Sequence, residues 1–307
     1  MRLRSYLVSL ALATVLPVAV FGAIVGYFLV GEQRDTFRRG AEARVLAITT
    51  AVDAELQGMV SSLDALSRVE SLANRDFTYF RATAKRFLET HPHWTSINLA
   101  RPDGERVLDP LATEGAALPP IQRFEPSFER ALQTAQPMIG DLAIGPVSKQ
   151  WDFVVRVPVV RDGKVDYVLS AVIKPEAITR LLVAQGLPAD WFAVVLDRNN
   201  RIVARTVEPA ASVGQVASQS LRDALARSSS GWFRGSTIEG SEVYTPFRRS
   251  EWSGWSLAMG IPVAVVDGAA GRGMGYLAAG LAGALGLALV LAGFVGRRLA
   301  APIAELA

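Results

Sequence analysis

Two runs of 24 residues without a charged side chain, Leu7–Val30 and Gly273–Gly296, bracket about 240 residues of ordinary mixed composition. A helix of that length rises ~36 Å, enough to cross a hydrocarbon core of about 30 Å with some tilt. The chain is therefore expected to cross a membrane twice, with a folded segment between the crossings. Arg2 and Arg4 precede the first run and Arg297 and Arg298 follow the second, which places both termini in the cytoplasm. Arg34, Arg38 and Arg39 oppose this weakly, because Glu32 and Asp35 dilute them at the start of a long translocated segment. The expected layout is a cytoplasmic N-terminus at 1–6, membrane helices at 7–30 and 273–296, and an extracytoplasmic segment at 31–272. The first run is far longer than the apolar part of a signal peptide and ends at no small-x-small site, so it reads as an uncleaved anchor.

Composition excludes some classes. A net charge of +3 over 307 residues, with no basic-aromatic cluster, argues against a nucleic-acid partner despite a pI near 9.4. The mean hydropathy of +0.25 comes largely from the two apolar runs. The absence of cysteine suits an oxidising compartment without requiring one.

Val45, Ile48, Val52, Leu56, Met59, Leu63 and Leu66 recur at steps of three and four, in a stretch from Gly31 to Val69 that holds no proline. That period is one face of a helix, a stalk leaving the membrane with a narrow apolar stripe for a sheet or a partner helix. Arg75–Thr90 reads as a second helix. Strands are then expected at His93–Arg101 and Glu105–Leu108 across a Pro102–Gly104 turn, and at Phe153–Val160 and Lys164–Ile173 across Arg161-Asp162-Gly163, a strong hairpin signal. Helices fall at Phe124–Gln136 and Pro175–Val183. The theme repeats: strands Trp191–Leu196 and Arg201–Arg205, a helix Ser218–Arg227, then strands near Trp232–Ser236, Glu242–Phe247 and Trp255–Ile261. Two α+β modules in series are the result.

Phe128–Leu182, with its Val157-Pro158-Val159 strand, turn and strand-into-helix, resembles the membrane-distal half of double-Cache extracytoplasmic sensor domains of bacterial receptors. Trp191–Thr206, Val213–Gln215 and Thr245–Pro262, ending Gly254-Trp255 and Pro262, look like the proximal half. Gly296–Leu306 resembles the opening of a HAMP linker, with Leu299, Ile303 and Leu306 at bundle-seam spacing. The resemblance implies an α+β fold: a long N-terminal helix carrying two PAS-like antiparallel-sheet modules in series, at 31–183 and 184–268, flanked by two transmembrane helices. It also implies a receptor in the bacterial inner membrane, a homodimer through the HAMP bundle at 297–307, and an output domain in the same polypeptide beyond Ala307. A histidine kinase is the first expectation for that output, with a diguanylate cyclase or chemoreceptor rod behind it.

Alternation along the first strand is expected to place Trp94, Ser96 and Asn98 on one face, opposite Ile97 and Leu99. One aromatic with two short hydrogen-bonding groups suits a small-molecule pocket, which the resemblance also puts on that face. Arg156 lies in the apolar strand Val154–Val160, where a charge needs a partner and a ligand carboxylate could supply it. Arg101, Asp109 and Trp151 are further candidates. The amino-acid-binding members carry Arg-x-Trp-Tyr ahead of the short helix, whereas Arg123–Phe128 reads RFEPSF, which argues against an α-amino acid and leaves open an organic acid, a different small molecule or no ligand at all. His91 and His93 are the only histidines, and with no cysteine they are read as turn residues rather than metal ligands. No Gly-x-Ser-x-Gly, no Walker loop and no His-nucleophile pair is visible, so neither catalysis nor a cofactor is expected. A membrane-anchored extracytoplasmic enzyme is the rival reading.

Overall fold

The computed structural model describes residues 2–112, 118–121, 126–145, 148–268 and scattered helical positions between 275 and 294. The second expected membrane helix, 273–296, therefore lies largely outside the described residues, and the HAMP-like segment 297–307 wholly so; for the first, most side chains do. Among the described residues, no helix is long and apolar enough to cross a membrane. Residues Met1–Ala41 with Pro262–Ala307 form one compact unit and Glu42–Ile261 another. In the first, Arg34 Nη2 donates to Asp267 Oδ1 at 3.0 Å.

The expected stalk is the distal part of α1 (Arg2–Ser67). Its stripe from Val45 through Leu66 is buried at all seven positions, as the three-four spacing requires. Two short helices follow, α2 (Glu70–Ala73) and α3 (Phe77–Thr90). Asp76 caps α3 by accepting from the Tyr79 amide at 3.0 Å, which starts that helix two residues later than its pattern suggested.

The first sheet is built from β1 (Trp94–Ala100), β2 (Arg106–Leu108), β3 (Met138–Ile139), β4 (Ala143–Ile144), β5 (Trp151–Arg161) and β6 (Lys164–Ile173), with α4 (Pro126–Thr134) before β3 and α5 (Glu176–Ala184) after β6. Its order is β2-β1-β6-β5-β3, all antiparallel, with β4 also paired to β5. Between β5 and β6, Asp162 and Gly163 both take positive φ, 49° and 74°, the two-residue turn whose twist matches the strands it joins.

The second sheet comprises β7 (Phe192–Leu196), β8 (Ile202–Arg205), β9 (Ser230–Ser236), β10 (Glu242–Arg249) and β11 (Ser256–Pro262), with α6 (Pro209–Ser212) and α7 (Gln219–Arg227) between β8 and β9. Its order, β8-β7-β11-β10-β9, is the first sheet's order repeated strand for strand. Each module thus places its opening hairpin at one edge, with the inner strand of that hairpin beside the module's last strand.

Asp53 of α1 accepts from Ser250 Oγ at 2.7 Å and Ser253 Oγ at 3.0 Å, which ties the stalk to the loop before β11. Phe153 meets Trp255 edge to face, joining the two sheets' cores.

Candidate functional site

Pairing fixes which side chains share a face. Asn98 lies opposite Ser170, and Ser170 opposite Arg156, so three polar residues form one row across β1, β6 and β5. Val172 and Val154 form the next row. This face lines a cavity of about 530 Å³, closed at its sides by Pro119–Ile121 and Asp141–Gly145. The volume lies within the range of small-molecule pockets.

Two arginines reach the cavity. Arg156 is buried; its Nε donates to Ser127 Oγ and its Nη1 to Ser170 Oγ, both at 2.8 Å, and its guanidinium lies 5.4 Å from the Phe128 ring centre. Arg106 comes from edge strand β2, opposite Ala100. Among the described residues its buried Nε has no hydrogen-bond partner, and burial lowers its pKa from the ordinary arginine range, against the attraction of Asp109. Asp152 contributes the opposite charge. It is buried, accepts from Ser148 Oγ at 2.6 Å and Thr95 Oγ1 at 3.4 Å, and burial raises its pKa more than those bonds lower it. Gly145 fits only without a side chain, since a Cβ there would come within 2.2 Å of Ser148 Oγ.

The cavity's side wall is pinned to the second module. Asp141 accepts from the Arg198 amide at 3.2 Å, Arg198 Nε at 2.9 Å and Asn199 Nδ2 at 3.3 Å, while buried Asp197 accepts from the Leu142 amide at 3.1 Å.

Of the expected site residues, Asn98 and Arg156 line the cavity together. Ser96 lies on their face, but its hydroxyl donates to Asp109 Oδ1 at 3.1 Å, so those two satisfy each other beside the cavity. Trp94 is a correction. The β1–β6 register slips between Trp94 and Ser96, so Trp94 pairs with Ile173 and Ser96 with Val172. The extra residue, Thr95, turns Trp94 to the opposite face. There it packs against Phe87 and His91 and lines a groove with Gly58 and Met59 of α1. Arg101 is exposed and ion-paired with Glu105 four residues on. Trp151 packs against Gly214 of the second module and beneath Arg201, whose guanidinium lies 5.7 Å from its ring. Of the segment Arg123–Phe128, which departs from the amino-acid motif, residues 123–125 lie outside the described residues and Pro126–Phe128 open α4.

Reasoning from the sequence missed Arg106, Asp152 and Ser170. Asp152 and Ser170 had a visible signal, a polar residue inside an otherwise apolar strand, whereas Arg106 sits next to Glu105 at a strand start, and only the pairing reveals that the three converge. Among the described residues no group of three or more His, Cys, Asp or Glu could hold a metal. His91 stacks on Phe87 with 4.0 Å between ring centres, and burial lowers the pKa of His93, with Arg180 adding to it.

No protein-family model and no curated protein matches the sequence. Solved structures do match in fold. The ligand-binding domain of the Campylobacter jejuni chemoreceptor Tlp3 in complex with L-valine superposes with a TM-score of 0.57 at 14% identity, over 78% of this chain and 98% of that one. The ligand-binding domain of the Pseudomonas aeruginosa amino acid chemoreceptor PctB with L-Arg gives 0.58 at 13%, over 75% and 97%. The sensor domain of the V. cholerae histidine kinase DctB gives 0.55 at 11%, over 75% and 98%. The chain shares its fold with these sensor domains.

Proposed function

We propose that this chain is the input half of a two-pass transmembrane receptor, and that its extracytoplasmic part is a non-catalytic double-Cache sensor for a small carboxylic acid. The observation that carries the reading is Arg106. A half-buried guanidinium with a buried, unpartnered Nε on the wall of a 530 Å³ cavity is costly in the free protein. A carboxylate entering the cavity supplies the missing acceptor, and Arg156 and Asn98 bring a guanidinium and an amide to the same cavity wall.

In this reading the distal module is 31–183 and the proximal module 184–268. Residues 7–30 and 273–296 cross the bacterial inner membrane, and 297–307 open a HAMP linker that pairs two copies. A histidine kinase, as in the DctB match, is the output that fits best. Occupancy then biases the second membrane helix between two positions, by no more than the ligand's differential affinity for them.

Asp152 favours a second reading of the ligand, because a carboxylate sharing a cavity with two guanidinium groups suits a zwitterion, as the amino acids named for Tlp3 and PctB are. Thermal unfolding of the full chain in detergent micelles separates the two. Succinate or malate raising Tm saturably supports the organic acid, and an amino acid doing so while dicarboxylates do not selects the zwitterion. Stabilisation by no carboxylate of either kind would overturn the sensor reading at this cavity.

A further inference from the structure

The repeated strand order makes edge strand β8 of the second sheet the counterpart of β2 in the first. Each carries an arginine on the covered face, Arg106 at the start of β2 opposite Ala100 and Arg205 at the end of β8 opposite Val194. Arg205 is only 5% exposed and lines a cavity of about 40 Å³ among Phe192, Val194, Leu221, Thr245 and Ala258. Phe192 lies under its guanidinium at 4.8 Å, and Ser212 Oγ accepts from Nη1 at 3.4 Å.

The difference between the modules is the acceptor. Arg106 Nε has none, whereas Arg205 grips the Glu239 carboxylate through two parallel bonds, Nη1 to Oε1 at 2.5 Å and Nη2 to Oε2 at 3.0 Å. Glu239 sits at the tip of the β9–β10 turn, between cavity-lining Ile238 and Gly240 at φ +87°, and its side chain is 46% exposed. A side chain so open to solvent can swing outward, and its departure would leave a fork-shaped donor at the end of an apolar pocket.

We propose that the second sheet carries a binding site of its own, for the carboxylate of a two- or three-carbon monocarboxylic acid, and that Glu239 occupies this site as a built-in surrogate for the ligand. The cavity adjoining the pair holds a few water-sized volumes, so such an acid fits once the Glu239 carboxylate yields its place. Longer acids meet Leu221 and Ala258 of the core. The inference stands independently of the ligand assigned to the first sheet.

The test uses the full chain in detergent micelles with acetate and propionate as probes, against sodium chloride at matched ionic strength and propionamide. Glu239→Ala should lower Tm, and acetate or propionate should restore it saturably while chloride and propionamide do not. The half-saturating acetate concentration should fall at least ten-fold below that of the parent chain, because the internal competitor is gone. Should Glu239→Ala fail to fold, Glu239→Gln keeps the shape and one acceptor and should show the same ten-fold gain. Adding Arg205→Met, which removes the charge, should abolish it. A response to acetate no stronger than in the parent chain, or no stronger than to chloride, overturns the proposal. Combining Glu239→Gln with Arg106→Met locates the effect: persistence confirms the second sheet, whereas loss assigns acetate to the first cavity and refutes a site at Arg205.

Discussion

Replacing Arg106 with methionine separates a binding arginine from a structural one, because the two roles predict opposite signs. In the free protein Arg106 Nε is buried without a partner, a desolvation cost of about 1–3 kcal/mol. The rest of the guanidinium belongs to a half-buried residue, and its attraction to Asp109 offsets part of that cost, so the net gain on removal is set near the lower bound, about 1 kcal/mol. Methionine keeps the apolar stem and fills an irregular wall without adding a donor. For a cooperative unit of the size of Glu42–Ile261, about 1 kcal/mol corresponds to a rise in Tm of roughly 2–4 °C. Ligand response should move the other way. Losing a charge-assisted contact of about 1.5–3 kcal/mol weakens carboxylate binding ten-fold or more. Scanning fluorimetry of the full chain with and without succinate, malate and amino acids reads both effects in one plate. A drop in Tm would show that the guanidinium holds the fold together, and undiminished ligand stabilisation would move the site away from β2.

Arg156→Ala should also abolish ligand stabilisation and Arg156→Lys restore part of it, since a point charge lacks the planar fork; titration calorimetry checks both. Gly214 has φ +85° and a Cβ there would lie 2.2 Å from Trp151 Cε2, so Gly214→Ala should cost at least about 2 kcal/mol through left-handed strain and displacement of the indole, read as a fall in Tm. Asp53→Ala leaves the buried hydroxyls of Ser250 and Ser253 without their charged acceptor, a loss of about 1.5–3 kcal/mol, and amide exchange near Trp252 should speed up. Arg205 lowers the pKa of Glu239 from 4.5 to about 2, so the pair stabilises the fold fully above pH 4.5 and loses that contribution as pH falls from there toward 2. Its half-exposed carboxylate keeps the effect small, and Glu239→Gln should remove this part of the acid dependence of Tm.

The sequence by itself determined the elements whose signal is local. The stalk's stripe from Val45 to Leu66, the Asp162-Gly163 hairpin and the repeated order of strands and helices follow from periodicity and turn chemistry within short windows, so the α+β architecture with a long helix was legible. Arg156 and Asn98 were legible too, because strand alternation is local wherever the register is regular. Only the tertiary structure decided the rest. Whether a residue slips out of register at Thr95 depends on how β1 meets β6, over seventy residues later in the chain, and that one slip sent Trp94 to the α1 side of the sheet. The cavity draws Arg106, Ile121, Asp141 and Arg156 from four separate segments. Asp141 is held in that wall by Arg198 of the other module, and Trp151 is claimed by Gly214 and Arg201 across the same boundary. Such convergence is a property of pairing and packing between distant segments, and no pattern inside any one of them records it.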